Sequence, residues 1–125
     1  MGILVVGTVA FDSVKTPSGT RTDVLGGTAT YFSVAASYFS DVSIVAVVGE
    51  DFPEEHIAFL QRKGIDTSGL ERHKGNTFRW KGEYGSDLNI CTTLDTQLNV
   101  LADFSPKLLS THRAQEYIFL GNIDP

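Results

Sequence analysis

The stretch LGGTATYFSVAASYFSDVSIVAVVG, residues 25–49, places a double glycine before a segment of helical apolar spacing and follows it with an unbroken β-branched run. Ala29, Phe32, Ala36 and Phe39 recur at three- and four-residue intervals, which predicts a helix burying those four on one stripe. Residues 42–49 predict a strand covered on both faces of a sheet. Toward the N-terminus, ILVVG at residues 3–7 is a second run of that kind. The order strand, helix, strand predicts a parallel pair joined by a right-handed crossover. Glycine admits dihedrals and close approaches that a side chain blocks, so Gly26 and Gly27 make either an ordinary tight turn or a helix start whose amides stay open to a ligand.

Toward the C-terminus, EDFPEEHIAFLQRKG at residues 50–64 predicts a second helix. Asp51 is its expected cap, with Glu54 three residues on as in a capping box and Pro53 in the first turn. Arg62, Lys63 and Gly64 close it, since cations favour a helix C-terminus and glycine accepts the left-handed residue that ends one. GIDTSGL, residues 64–70, predicts a loop or short strand. Farther on, SPKLLSTHRAQ (105–115) predicts a short helix and YIFLG (117–121) a third core strand.

Two segments break the alternation. Residues 11–25 and 76–100 are polar, rich in Thr, Gly, Asn and aromatic residues, and carry turn signals at TPSGT (16–20) and YGSD (84–87). They predict hairpins, set in a small second sheet beside the parallel one.

Composition narrows the function. With 125 residues, 42% apolar and 20% charged, the chain suits one globular domain that buries roughly two thirds of its unfolded surface. A net charge of −5 with ten dispersed Lys and Arg argues against a nucleic-acid footprint. A single cysteine, Cys91, forms no internal disulfide, and no apolar run suits a signal peptide or membrane span, so a cytoplasmic location is expected. His56, His73 and His112 lack metal-ligand spacing, and Cys91 has no neighbouring histidine. Residues 7–12 do not read Gly-x-Gly-x-x-Gly, which removes a dinucleotide-binding domain.

Taken together, ILVVGTVAFDSV (3–14), LGGTATYFSVAASYF (25–39) and VSIVAVVGEDFPEEHIAFLQRKGIDTSGL (42–70) resemble the N-terminal part of ribokinase-like carbohydrate kinases, the PfkB family, across residues 1–125. The resemblance implies an α/β fold: a Rossmann-like parallel sheet with flanking helices and a small β lid, truncated, with lid segments near 11–25 and 76–100. It implies transfer of the γ-phosphate of ATP to a hydroxyl of a sugar or nucleoside, with ATP and Mg2+ as needs of the intact enzyme. Asp12 matches the acidic residue that accepts from sugar hydroxyls, a task suited to a carboxylate that takes two adjacent hydroxyls. Gly26 and Gly27 match the backbone that lies against the sugar, and Thr28 stands at the helix entry. Arg79 and Trp80, in the second lid segment, either reach over a bound polyol or form an ordinary cross-strand pair.

The pattern also departs from the family. Tyr31 stands where relatives often carry Asn; it either stacks on a ligand ring or fills the core, and beside Phe32 the core is the expectation. No Gly-x-Gly-Asp segment, which would carry the base, and no Asn-x-x-Glu segment for metal and phosphates occur in these residues. The chain alone is therefore expected to carry no catalytic residue, nucleotide site or metal site. Phe78, Trp80 and Tyr84 are expected on the open face of the lid, where the resemblance implies a homodimer through paired lids. A noncatalytic sugar-binding or dimerising module built on this fold is the alternative.

Overall fold

β1 (Gly2–Val6) and β4 (Asp41–Val48), the two β-branched runs, lie side by side and parallel at the centre of a four-stranded sheet of order β5-β4-β1-β8. This computed structural model describes residues 2–123. The edges are β5 (Ile65–Arg72) and β8 (Tyr117–Leu120), both parallel to their neighbours. Two helices, α1 (Thr28–Ala36) and α2 (Glu54–Arg62), supply the crossovers. The continuous hydrophobicity of β4 follows from cover on both faces. Ile44, Ala46 and Val48 pack with Val5, Val9, Ala29, Phe52 and Leu60, while Val45 joins Leu4 and Val6 on the other side with Phe104 and Ile123.

The two segments expected as a lid build a second four-stranded sheet, β3-β2-β6-β7, for which lid is kept as a label. Each polar segment forms an antiparallel hairpin, β2 (Ala10–Thr16) with β3 (Gly19–Gly26) and β6 (Arg79–Tyr84) with β7 (Cys91–Gln97). The hairpins join through a parallel pairing of β2 with β6. From β7 the chain returns through a 3-10 turn at Asn99–Asp103 and a short helix α3 (Ser110–Arg113) to β8.

Several local expectations change. Helix α1 stops at Ala36 because the chain turns at once, with Ser37 Oγ donating to Val34 O at 2.7 Å and Phe39 N–H to Ala36 O at 2.9 Å. Phe39 therefore falls beyond the stripe and is 91% exposed. The rest of the stripe holds, with Ala29 buried and Phe32 and Ala36 partly buried against the core; Thr30 and Ser33 are buried besides, and Phe32 stacks on Phe119 of β8, ring centroids 3.7 Å apart. Tyr31 is likewise outside the core, 63% exposed, since adjacent helical residues point about 100° apart. Helix α2 begins at Glu54 after Pro53 with no side-chain cap, so the expected Asp51–Glu54 capping box is absent. Its C-terminus agrees with the reading: Gly64 has φ +77 and donates to Gln61 O at 2.9 Å. Residues 65–70 take the strand alternative of their reading, as part of the longer strand β5, whereas β8 is an edge strand whose Tyr117, Ile118 and Leu120 are exposed rather than core. Among the described residues no helix is long and apolar enough to cross a membrane.

Candidate functional site

The turn Gly7-Thr8-Val9 carries the chain from β1 to β2 and meets the start of α1. Thr8 closes that helix end. Its hydroxyl accepts from Thr28 N–H at 3.0 Å and its carbonyl from Ala29 N–H at 2.9 Å, while Thr8 N–H donates to Thr28 Oγ1 at 3.3 Å. The Thr28 and Ala29 amides are thus occupied within the protein, which corrects, for those two, the reading that leaves them open to a ligand. The two glycines do different work. Gly27, the helix N-cap residue, has φ 94 and ψ 153, and a Cβ there would run into the Thr8 carbonyl. A Cβ on Gly26 would collide with the Asp12 carboxylate.

Asp12 lies on β2, where its neighbours across the sheet are Val24 of β3 and Trp80 of β6. Its carboxyl is half-buried and receives the Gly27 N–H. Burial pushes its pKa above the ordinary 3.8, and the Gly27 amide opposes that rise without cancelling it. Among the described residues it pairs with no cation. An open cleft of about 1080 Å³ runs from here between the lid and the end of the parallel sheet. Thr8, Asp12, Gly27, Thr28 and Tyr31 line one side, and the rings of Phe32, Phe78, Trp80, Phe104 and Phe119 supply apolar walls. Of the residues singled out in the sequence, Asp12, Gly27, Thr28 and Trp80 come together here, with Gly26 packed on Asp12. Tyr31 joins them from its exposed position. Thr8, Phe78 and Phe119 were not anticipated, since nothing in their local spacing marks a shared cavity.

Arg79 goes elsewhere. Successive residues of a strand face opposite sides, so Trp80 in the cleft puts Arg79 on the reverse of the lid. There its Nη1 donates to Asp51 Oδ2 at 2.8 Å, its Nε stands 3.6 Å from Asp23 Oδ1, and the guanidinium covers the Phe11 ring at 4.8 Å. It does not line the cleft, which corrects the picture of guanidinium and indole both reaching over a polyol. Asp51, freed from the helix cap, accepts from Thr77 N–H at 2.8 Å and the Thr77 hydroxyl at 2.7 Å. Burial is the largest single influence on Asp51 and pushes its pKa up. The Thr77 hydroxyl, Arg79 and the Thr77 amide together hold it below 3.8.

The indole of Trp80 is fixed in its turn. Its Nε1 donates to Thr93 Oγ1 at 3.3 Å and its ring lies over Gly82, where a Cβ would overlap it. Phe78, Trp80 and Tyr84 are accordingly half-buried. The exposed apolar residues of the lid are Val24, Leu88, Ile90 and Leu94, a second correction. The histidines stay apart: His56 packs on Phe52 and Phe11, His73 stands 3.6 Å from Glu71, and buried His112 accepts the Leu109 N–H. Cys91 is exposed opposite Tyr84. Among the described residues no three His, Cys, Asp or Glu side chains converge on a metal-sized point.

The sequence matches no protein-family model and no curated protein. Solved structures are another matter. The ribokinase of Cryptococcus neoformans var. grubii serotype A in complex with ADP is similar at TM-score 0.76 and 17% identity, over 94% of this chain and 40% of that one. The fold is ribokinase-like. The nucleoside kinase of Methanocaldococcus jannaschii, an archaeal member of the ribokinase family, gives TM-score 0.71 at 17% identity, covering 97% of this chain and 45% of that one. The nucleoside kinase of Burkholderia thailandensis in complex with inosine gives 0.68 at 15%, covering 78% and 36%. This ribokinase-like chain therefore spans less than half the length of the structures it matches.

Proposed function

We propose that the chain is the acceptor-binding and lid portion of an ATP-dependent kinase that phosphorylates a hydroxyl of a sugar or nucleoside. The observation that carries this is Asp12. A half-buried carboxylate with one amide donor and no cation partner among the described residues keeps accepting capacity toward the cleft. Desolvated acceptors of that kind are costly unless something donates to them. Adjacent hydroxyls of a polyol supply two donors at the spacing of one carboxylate, and the aromatic walls offer flat apolar surface to a sugar face or a base. Gly26 and Gly27 keep the backbone beside Asp12 free of side chains. Arg79 has a positioning part in this proposal, not a ligand-binding one.

The fold supports the same reading, because the similar structures include a ribokinase holding ADP and a nucleoside kinase holding inosine. The phosphoryl-transfer base, the ATP site and any Mg2+ ligands belong, in this proposal, to parts of an intact enzyme outside these residues. The exposed lid residues Val24, Leu88, Ile90 and Leu94 are proposed to pair two lids in a homodimer.

Calorimetric titration of the chain with a panel of pentoses, hexoses and nucleosides tests the proposal. One class is expected to bind. Asp12→Ala should weaken it by about 10- to 150-fold, the equivalent of the roughly 1.5–3 kcal/mol of a hydrogen bond to a charged group. Equal binding by Asp12→Ala, or no binding of any sugar or nucleoside, would overturn it.

A further inference from the structure

The chain leaves the parallel sheet for the second half of the lid at residues 73–78 and returns at 98–100; the outgoing crossing meets the turn Gly49-Glu50-Asp51, and the returning one bonds to the outgoing one. Thr77, fully buried on the outgoing path, has every polar atom engaged. Its N–H and hydroxyl donate to Asp51 Oδ1, its Oγ1 accepts from Gly49 N–H at 3.0 Å, and its carbonyl accepts from Asn99 Nδ2 at 2.9 Å. Asn99 belongs to the returning path and holds φ +51. The next residue, Val100, donates its N–H to Asn76 O at 3.1 Å, and Glu50 N–H donates to Gly75 O at 2.8 Å. Gly49 leaves no room for a side chain. A Cβ there would overlap the Gly75 carbonyl and stand 2.6 Å from Thr77 N.

Asp51 thus uses one oxygen on Thr77 and the other on Arg79, the residue before Trp80. Arg79 continues the chain of contacts to Asp23 on β3, so the carboxylate reaches both hairpins of the lid. None of this caps α2, the role its spacing suggests. We propose that Asp51 is a positioning residue that locks the root of the lid, fixing the Thr77–Trp80 segment and so the distance of the lid face that carries Asp12 and the indole from the end of the parallel sheet across the cleft. The ligand-binding arm of its test rests on the acceptor-site reading given above; the optical arm does not.

Trp80 is the single tryptophan, so its fluorescence reports the indole wall directly. The experiment compares the full wild-type chain with Asp51→Asn, Arg79→Lys and Thr77→Val, well below each variant's melting temperature, by acrylamide quenching and by acceptor titration. Asp51→Asn and Thr77→Val are expected to make Trp80 more quenchable and shift its emission to the red, with acceptor affinity lower by about tenfold. Arg79→Lys, which keeps the charge, should lie between them and the wild type. If Asp51 only stabilises the fold, melting temperatures fall while quenching and affinity of the folded protein match the wild type, and the proposal is overturned. If no acceptor binds even the wild type, the functional reading fails while quenching still decides the lock. Should Asp51→Asn not fold, Arg79→Lys and Thr77→Val carry the same comparison.

Discussion

Replacing Gly26 and Gly27 by alanine, one at a time, should produce two different defects from adjacent positions. At Gly27 the backbone holds φ 94 and ψ 153, a region confined to glycine, which costs an alanine about 1–3 kcal/mol. Its Cβ would also press on the Thr8 carbonyl and stand 3.0 Å from Ala10 N, both backbone and unable to swing away. Overpacking of that kind adds about 1–3 kcal/mol, and the same carbonyl caps Ala29. The sum, about 2–6 kcal/mol, is a large share of the roughly 5–15 kcal/mol that a domain has. At Gly26 the obstacle is the carboxylate end of Asp12, which can rotate. Gly26→Ala should therefore lose little more than the Gly27–Asp12 hydrogen bond, about 1.5–3 kcal/mol and less than the Gly27→Ala sum, yet turn the carboxylate from its place in the cleft. Urea unfolding followed by circular dichroism gives the first quantity, and calorimetric acceptor titration the second. Equal stability losses in the two variants, or wild-type acceptor affinity in Gly26→Ala, would refute the division of labour.

The other predictions concern protons, phosphate and association. Because burial raises the Asp12 pKa, the folded chain holds that proton to higher pH than the unfolded chain does. Its contribution to stability is therefore greatest below 3.8 and falls as pH rises through the folded value; Asp12→Asn should flatten that part of a stability–pH profile. Acceptor affinity should fall as the pH drops through the same value, which titration across a pH series checks. Asp51 has the opposite sign: its lowered pKa gives stability present above 3.8 and lost as pH falls toward the folded value, and Asp51→Asn should remove that acid limb. Incubated with labelled ATP and the sugar and nucleoside panel, the chain alone should yield no phosphorylated product above a protein-free control. Light scattering should show concentration-dependent association that Ile90→Glu or Leu94→Glu abolishes, whereas Trp80→Glu, on the cleft face, leaves it in place.

The elements whose residues speak for themselves were legible in the sequence. β1 and β4 are β-branched runs buried on both sides, and Gly64 ends α2 as glycine does when φ must be positive. Both hairpins followed from turn residues at 16–20 and 84–87. What escaped depends on long-range partners. The Asp51 spacing fits a cap, but a carboxylate gains more from an amide, a hydroxyl and a guanidinium supplied 26 to 28 residues away, and no local pattern announces them. Residues 64–70 left loop and short strand both open because Asp66 and Gly69 are turn residues; they flank the register shift against β4, which an edge strand tolerates. The division of Arg79 from Trp80 was available in principle, since a strand turns neighbours to opposite faces. Asp12 and Gly27, singled out by the resemblance, do line the cleft, while Thr8 was missed because it caps a helix that begins twenty residues later.

The parallel seam between β2 and β6 makes the order of assembly predictable. The β2–β3 hairpin closes locally, Thr16 opposite Gly19, but the seam joins Phe11 to Arg79. Loop closure scales with the logarithm of separation, so bringing those strands together from an open chain costs about 3 kcal/mol more than closing the hairpin. Forming β1, α1, β4, α2 and β5 first shortens that gap, because the packed sheet delivers both crossings to the same end. During synthesis the first hairpin must therefore wait with β2 unpaired on one side until residues 79–84 emerge. Over that interval its bare strand is a template for other chains, so slowing translation between the two lid segments should favour aggregation over yield.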